Sequence, residues 1–213
     1  MKGINTFILK WIAIISMLID HIGAVLFPQY EWMRIVGRLA FPIFAYLLVE
    51  GFVYTSDVKK YMIRLGIFAI VSEIPFDLAF FGTVFEAAHQ NVFFTLFMGI
   101  LMLYLILKTP SRFRQVITII AAFLVSDYLC MDYGSWGLLM ILGFYELRDR
   151  KILKLMAVAI VNIFFMGYSQ VYAAFAMIPI AFHNGKLGPK MKMFFYAFYP
   201  VHLMILYLIH LVI

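Results

Sequence analysis

Between Ile8 and Phe27 the chain reads I-L-K-W-I-A-I-I-S-M-L-I-D-H-I-G-A-V-L-F, an apolar run as long as a bilayer-crossing helix but carrying an adjacent acid and imidazole. A helix rises about 1.5 Å per residue, which puts His21 roughly 16 Å along the axis from Lys10. With Lys10 at the water boundary, the imidazole reaches the middle of a hydrocarbon layer about 30 Å thick. Ionisable groups at that depth are costly and face a protein interior or a wet cavity. Asp20 and His21 therefore mark a functional site inside the fold.

The rest of the chain repeats the pattern of apolar runs broken by charged or Pro/Gly-containing stretches. With 65% hydrophobic and 13% charged residues, against about 25% charged in soluble domains, it reads as an integral membrane protein. No hydrophilic stretch is left for a second domain, so residues 1–213 are expected to form one membrane domain. Nine spans are expected, with cores near 8–27, 35–54, 61–81, 92–107, 115–130, 135–147, 152–167, 170–182 and 193–211, giving an all-α transmembrane bundle. The 135–147 and 170–182 stretches are the shortest, and one of them can be re-entrant. No small-residue cleavage motif follows the first run, which reads as a retained span.

Basic residues orient the spans, because short cytoplasmic loops hold the excess of Lys and Arg. Lys2 and Lys10 precede the first span; Lys59, Lys60 and Arg64 fall at the second connection. Lys108, Arg112 and Arg114 fall at the fourth, and Arg148, Arg150, Lys151 and Lys154 at the sixth. Lys186, Lys190 and Lys192 occupy the eighth. Only Arg34 and Arg38 fall on the other side. The N-terminus is thus expected in the cytoplasm of a bacterial cell, with the chain in its inner membrane. Topology accounts for the +6 charge, and no nucleic-acid partner is expected. The single Cys130 excludes an internal disulfide, and the dispersed histidines give no metal-ligand pattern.

In that orientation Asp20, His21, Arg38, Glu73 and Asp77 meet at one level between three consecutive helices. Glu73 and Asp77 are i,i+4 and share a face. Gln90, Asn91 and Asp132 lie on the outer side, next to His89. Lys10, Lys60 and Arg64 belong to a basic layer at the cytoplasmic boundary. Plainer roles exist for each: Asp20 with Arg38 as a neutralising pair, the two α-helical acids as packing aids, the basic residues as topology determinants. A mid-membrane His preceded by Asp is less easily explained by packing alone.

Six ordered blocks carry a resemblance over most of the chain: L-K-W-I-A-I-I-S-M-L-I-D-H-I-G, G-R-L-A-F-P-I-F-A-Y-L-L-V-E-G-F at 37–52, S-E-I-P-F-D at 72–77, Q-N-V-F-F-T-L at 90–96, D-Y-G-S-W-G at 132–137 and F-Y-P-V-H at 198–202. They resemble the TraX family, whose fimbrial acetylase modifies the N-terminal amine of pilin, and more distantly the acyltransferase-3 group of acyl-CoA enzymes. The resemblance implies an acetyl-CoA-dependent acetyltransferase. It pairs a basic residue with a His, ten residues lying between them, here Lys10 and His21, with Lys standing where Arg is usual. It makes His21 the catalytic candidate, with Asp20, Arg38, Glu73, Asp77, Asn91 and His202 as site neighbours.

The chemistry suits these residues. An amine or hydroxyl acceptor loses a proton as it attacks a thioester, and His is the usual base near neutral pH. Lys10, Lys60 and Arg64 are the expected contacts for the phosphates of acetyl-CoA. Gln90, Asn91, Asp132 and His202 are the expected contacts for the acceptor, a peptide N-terminus or an envelope glycan. The rival class is an ion- or proton-coupled transporter using the same acid/His cluster. Against it, the chain lacks the repeated halves common in transporters.

Overall fold

The computed structural model describes residues 3–164, 168–189 and 191–213. Lys2, Lys190 and the end of the predicted seventh span, 165–167, lie outside the described residues. The fold is all-helical: α1 (Thr6–Val25), α2 (Glu31–Gly37), α3 (Ala40–Tyr54), α4 (Val58–Phe81), α5 (Val92–Lys108), α6 (Arg112–Tyr128), α7 (Gly134–Glu146), α8 (Lys151–Phe164), a 3-10 segment (Tyr168–Ala176), α9 (Met177–Ala181) and α10 (Lys192–His210). Helical structure thus falls on each of the nine predicted stretches. The eighth is mostly 3-10, and the second is broken at Arg38–Leu39 into α2 and α3. Among the described residues, three stretches are long and apolar enough to cross a membrane: Thr6–Val25, Glu31–Tyr54 and Lys192–His210.

Short polar residues start α1 and α4. The Asn5 side chain accepts from the Ile8 amide (2.9 Å) at the head of α1, and Asp57 accepts from the Lys60 amide (3.0 Å) at the head of α4. Each satisfies a backbone donor that the first helical turn leaves unpaired. Gly82, with φ 67°, closes α4 in the left-handed conformation that glycine adopts most easily.

The core is built around α3, which buries ten of its fifteen residues, among them Phe41, Ile43, Leu48 and Phe52. It packs on α1, α5 and α7, while α10 closes against α4 and α1. α4 shows how both faces of a helix can be apolar. Leu65, Ala69, Ser72 and Phe76 turn inward, while Ile63, Ile67, Ile70 and Ile74 form an exposed stripe. An outward stripe of large aliphatic residues suits a lipid environment, whereas a water-facing helix carries polar residues there.

At one end of the bundle the segment after α9 straps down the start of the chain. The Ile4 amide donates to the Phe182 carbonyl (3.0 Å), the Asn184 amide to Ile4 (2.9 Å) and the Thr6 amide to Lys186 (2.8 Å). His183 pins this strap to two helices, bonding Thr6 Oγ1 on α1 (3.1 Å) and the Tyr46 hydroxyl on α3 (2.8 Å). Burial, with the nearby Lys154 ammonium, holds His183 below the usual imidazole range. A pKa lower in the folded than in the unfolded state gives a contribution complete above about pH 6.5 and lost as pH falls through the folded value. Thermal unfolding in detergent should therefore show a smaller drop in midpoint between pH 8 and pH 5 for His183→Gln than for the unaltered protein.

Candidate functional site

At the opposite end, the loops preceding α5 and α7 are joined by backbone bonds from the Gln90 amide to Cys130 (2.9 Å) and from the Asp132 amide to Gln90 (3.0 Å). Beneath them lies a cavity of about 220 Å³ bounded by α1, α2, α3, α4 and α10. Its polar wall holds Asp20, His21, Arg34, Arg38, His89 and Asp132; Phe41, Phe76, Phe80, Tyr133 and Tyr199 are among the rings that complete it. Drug-sized ligands occupy about 300–1,000 Å³, so this space holds a small group rather than a whole nucleotide.

His21 is 8% exposed and lines the cavity, held edge-to-face by Phe80 (5.3 Å between centroids) and Tyr199 (5.9 Å). Its partner is not Asp20: adjacent helix positions diverge by about 100°, and Nδ1 instead meets Nε2 of His202 on α10 at 2.7 Å. His202, expected among the acceptor contacts, thus stands behind the imidazole and is absent from the cavity wall.

Asp20 faces two guanidinium groups, Arg34 at 3.0 Å and Arg38 at 3.6 Å. Arg34 also donates to the Asp20 carbonyl (3.3 Å), and Arg38 Nε to the Arg34 carbonyl (3.2 Å). The expected Asp20–Arg38 pair is therefore part of a triad, and Arg34 was missed as a site residue. Its signal was available, because Arg34 and Arg38 are i,i+4 and both break the charge rule. Two cations on one carboxylate leave the triad with a surplus positive charge, which Asp132 across the cavity balances.

The acids of α4 do different work. The carboxylate of Glu73 accepts from the side-chain amide of Asn91, whose other contact is the Ala69 carbonyl (2.8 Å). Asn91 Oδ1 accepts from the Phe93 amide (3.0 Å), capping α5. With its amide so engaged, Asn91 has no donor for a substrate. Asp77, fully buried, accepts from the Glu86 amide (2.9 Å) and ties down the loop after α4. Neither acid lines the cavity, so the expected meeting of five groups is realised for Asp20, His21 and Arg38 only. Gln90 uses its side chain within its own loop, on the Glu86 (3.3 Å) and Ala87 (3.4 Å) carbonyls. Asp132 does reach the cavity, paired with His89 at 3.4 Å. That hydrogen bond raises His89 above the usual imidazole range against the opposing effect of burial.

The basic residues divide as well. Lys10 and His21 are eleven positions apart, three helical turns, and project from nearly the same face of α1. Lys10 Nζ sits 5.1 Å over the Phe195 ring, and Arg64 lies 5.7 Å over Tyr61. Lys192 is near enough to repel both Lys10 and Arg64, and none of the three makes an ion pair among the described residues. Lys60, by contrast, is 76% exposed and paired with Asp57 at 3.1 Å. None of these residues lines the cavity. Among the described residues no group of three or more His, Cys, Asp or Glu is placed to hold a metal ion.

These features define a helical membrane protein with an imidazole and an arginine–carboxylate triad set around a partly open cavity. The chain belongs to the TraX family: the family model described as TraX protein matches residues 6–210. It is 30% identical to the "Probable fimbrial assembly protein FimC, serogroup H1" of Dichelobacter nodosus, over 95% of this chain and 94% of that protein. An uncharacterised protein of Rickettsia prowazekii is 29% identical over 70% of this chain and 58% of its own length. Protein TraX of Escherichia coli is 26% identical over 93% of this chain and 84% of that protein. No solved structure matches.

Gly37 lets α2 lie close to the Asp20 carboxylate, because a Cβ there would overlap the Asp20 side chain. Gly37→Ala must push α2 off α1 and loosen the triad, and overpacking of this kind costs about 1–3 kcal/mol. Its unfolding midpoint in detergent should fall, whereas Gly66→Ala, whose Cβ meets only ordinary contacts at 3.5 Å or more, should leave it nearly unchanged.

Proposed function

We propose that the protein is a membrane-embedded acyltransferase that moves an acetyl group from acetyl-CoA to an amine or hydroxyl acceptor. The observation that carries this reading is the placement of His21: an imidazole in the wall of a cavity, facing a positively charged triad, on the helix whose other end bears Lys10. Membership of the TraX family and the relative named as a fimbrial assembly protein support a peptide N-terminus, such as that of pilin, as the acceptor. The likeness to the acyltransferase-3 group belongs to the same reading. The basic end faces the cytoplasm of the inner membrane in a multi-pass arrangement, and the acceptor arrives from the side of His89 and Asp132.

Lys10, Arg64 and Lys192 hold the phosphates of the donor, an anion meeting three cations that have no acid partner among the described residues. Lys60, already paired and turned outward, contributes less. The acyl arm then runs along α1 toward His21, which requires α10 to part from α1 near Phe195. His21 takes the proton of the neutral amine or hydroxyl as its lone pair attacks the thioester carbon. Arg38, with Arg34, stabilises the oxyanion that forms. As the carbon–sulfur bond breaks, the imidazolium returns the proton to the leaving thiolate, giving CoA and the acetylated acceptor.

Purified protein incubated with labelled acetyl-CoA and an amine-terminated peptide tests this. His21→Ala should lose about 10²–10⁴-fold in kcat while unfolding at the same temperature. Lys10→Ala and Arg64→Ala should raise KM for acetyl-CoA, and Lys60→Ala should change it little. Transfer by His21→Ala at the original rate would remove the mechanism.

A further inference from the structure

The two buried imidazoles form a directed chain whose polarity follows from its far end. His202 Nδ1 lies 2.7 Å from the Phe198 carbonyl, one turn back on α10. A carbonyl oxygen only accepts, so Nδ1 of His202 carries the hydrogen, and in the neutral ring Nε2 is then the acceptor. That nitrogen lies 2.7 Å from His21 Nδ1, which must therefore donate. The hydrogen of neutral His21 is thereby placed on Nδ1, and the lone pair on Nε2. His21 Nε2 has no hydrogen-bond partner among the described residues, yet it is not sealed off as a buried unpartnered atom.

The ring geometry supports a bond in the plane of both imidazoles. Their planes differ by 9° and their centroids are 4.9 Å apart, nearly the full nitrogen–nitrogen distance plus two ring radii. The rings meet edge to edge, along the direction of the lone pair. Phe198 stacks on His202 at 4.8 Å, and Tyr199 contacts both imidazoles, so neither ring turns freely.

We propose that His202 is a positioning residue that fixes the tautomer of His21, presenting a bare Nε2 to the cavity. It rests on the acyl-transfer reading for its kinetic consequence, but the tautomer is measurable without any substrate. Nitrogen-15 NMR of histidine-labelled protein in detergent should show His21 protonated at Nδ1 and bare at Nε2, with a coupling across the bond to His202 Nε2. In His202→Phe the His21 signals should shift to a mixture of tautomers. His202→Gln, whose side-chain oxygen can accept from His21 Nδ1, should restore the original form.

In the transfer assay His202→Phe should lower kcat about 10²-fold or more with KM unchanged, as loss of a tautomer-fixing partner does elsewhere. His202→Gln should stay within about tenfold of the unaltered protein. A hydrogen on Nε2 of His21 in the unaltered protein would overturn the proposal, as would an unchanged His21 tautomer in a folded His202→Phe. Should that variant fail to fold, the unaltered protein and the Gln variant decide. Absence of acetyl transfer in the unaltered protein together with the expected NMR pattern would overturn the transferase reading and uphold the tautomer.

Discussion

Two guanidinium groups share one carboxylate in the cavity wall, and the packing of the first three helices follows from that arrangement. Asp20 is 16% exposed, in surroundings where an unpaired charge costs several kcal/mol. To reach it, Arg34 and Arg38 must come from one short helix lying almost against α1. Gly37 permits the approach, and the Ser16 hydroxyl fastens it by donating to the Val36 carbonyl (2.5 Å). The break at Arg38–Leu39 lets the chain turn from this charged contact into the apolar α3. Charge neutralisation, a missing side chain and a helix break are thus one solution to one electrostatic problem.

A similar economy governs the far wall. Pro75 sits between Glu73 and Asp77 on α4, where it removes one helical hydrogen bond. The two acids on either side bind outward from the helix, one to the cap of α5 and the other to the loop that leads there. Their cost of burial is offset by backbone and amide donors, and the gain is a fixed loop carrying His89 into the cavity. Asp127 does the same for α7: it accepts from the Ser135 amide (2.7 Å) beside Gly134 at φ 48°, and so sets Asp132 and Tyr133. Tyr133 lies flat on Phe41 at 3.5 Å and completes the aromatic lining.

Much of this was legible in the residues, and the remainder was not for physical reasons. Helix positions follow from the length and spacing of apolar runs, which need no tertiary information. The pairing of Asp20 with an arginine of the next helix follows from the cost of a lone charge. Depth arguments put Glu73, Asp77 and Asn91 at the level of His21, but depth does not fix direction around a helix. Those residues look toward the α4–α5 junction, and only contacts reveal it. His202 was singled out through its block of sequence, yet its role as partner to an imidazole 181 positions earlier depends on how α10 docks. Lys192 and Lys60 are equally basic in sequence; the presence of Asp57 three residues before Lys60 separates them.

The cavity and the basic cluster lie on one face of one helix, roughly 16 Å apart, with aromatic rings of α10 between them. A single open channel through that distance would let water and protons pass along the imidazoles. A closed bundle keeps the charged cluster and the base apart until something threads the seam. Phe195 lies one turn and Phe198 with Tyr199 two turns along α10 from Lys192, and Pro200 in the middle removes a hydrogen bond that would stiffen the helix. The same segment carries the partner of His21. On the acyl-transfer proposal, a donor reaching the cavity from the basic end would displace the rings that hold His202, and would couple its own arrival to the alignment of His21.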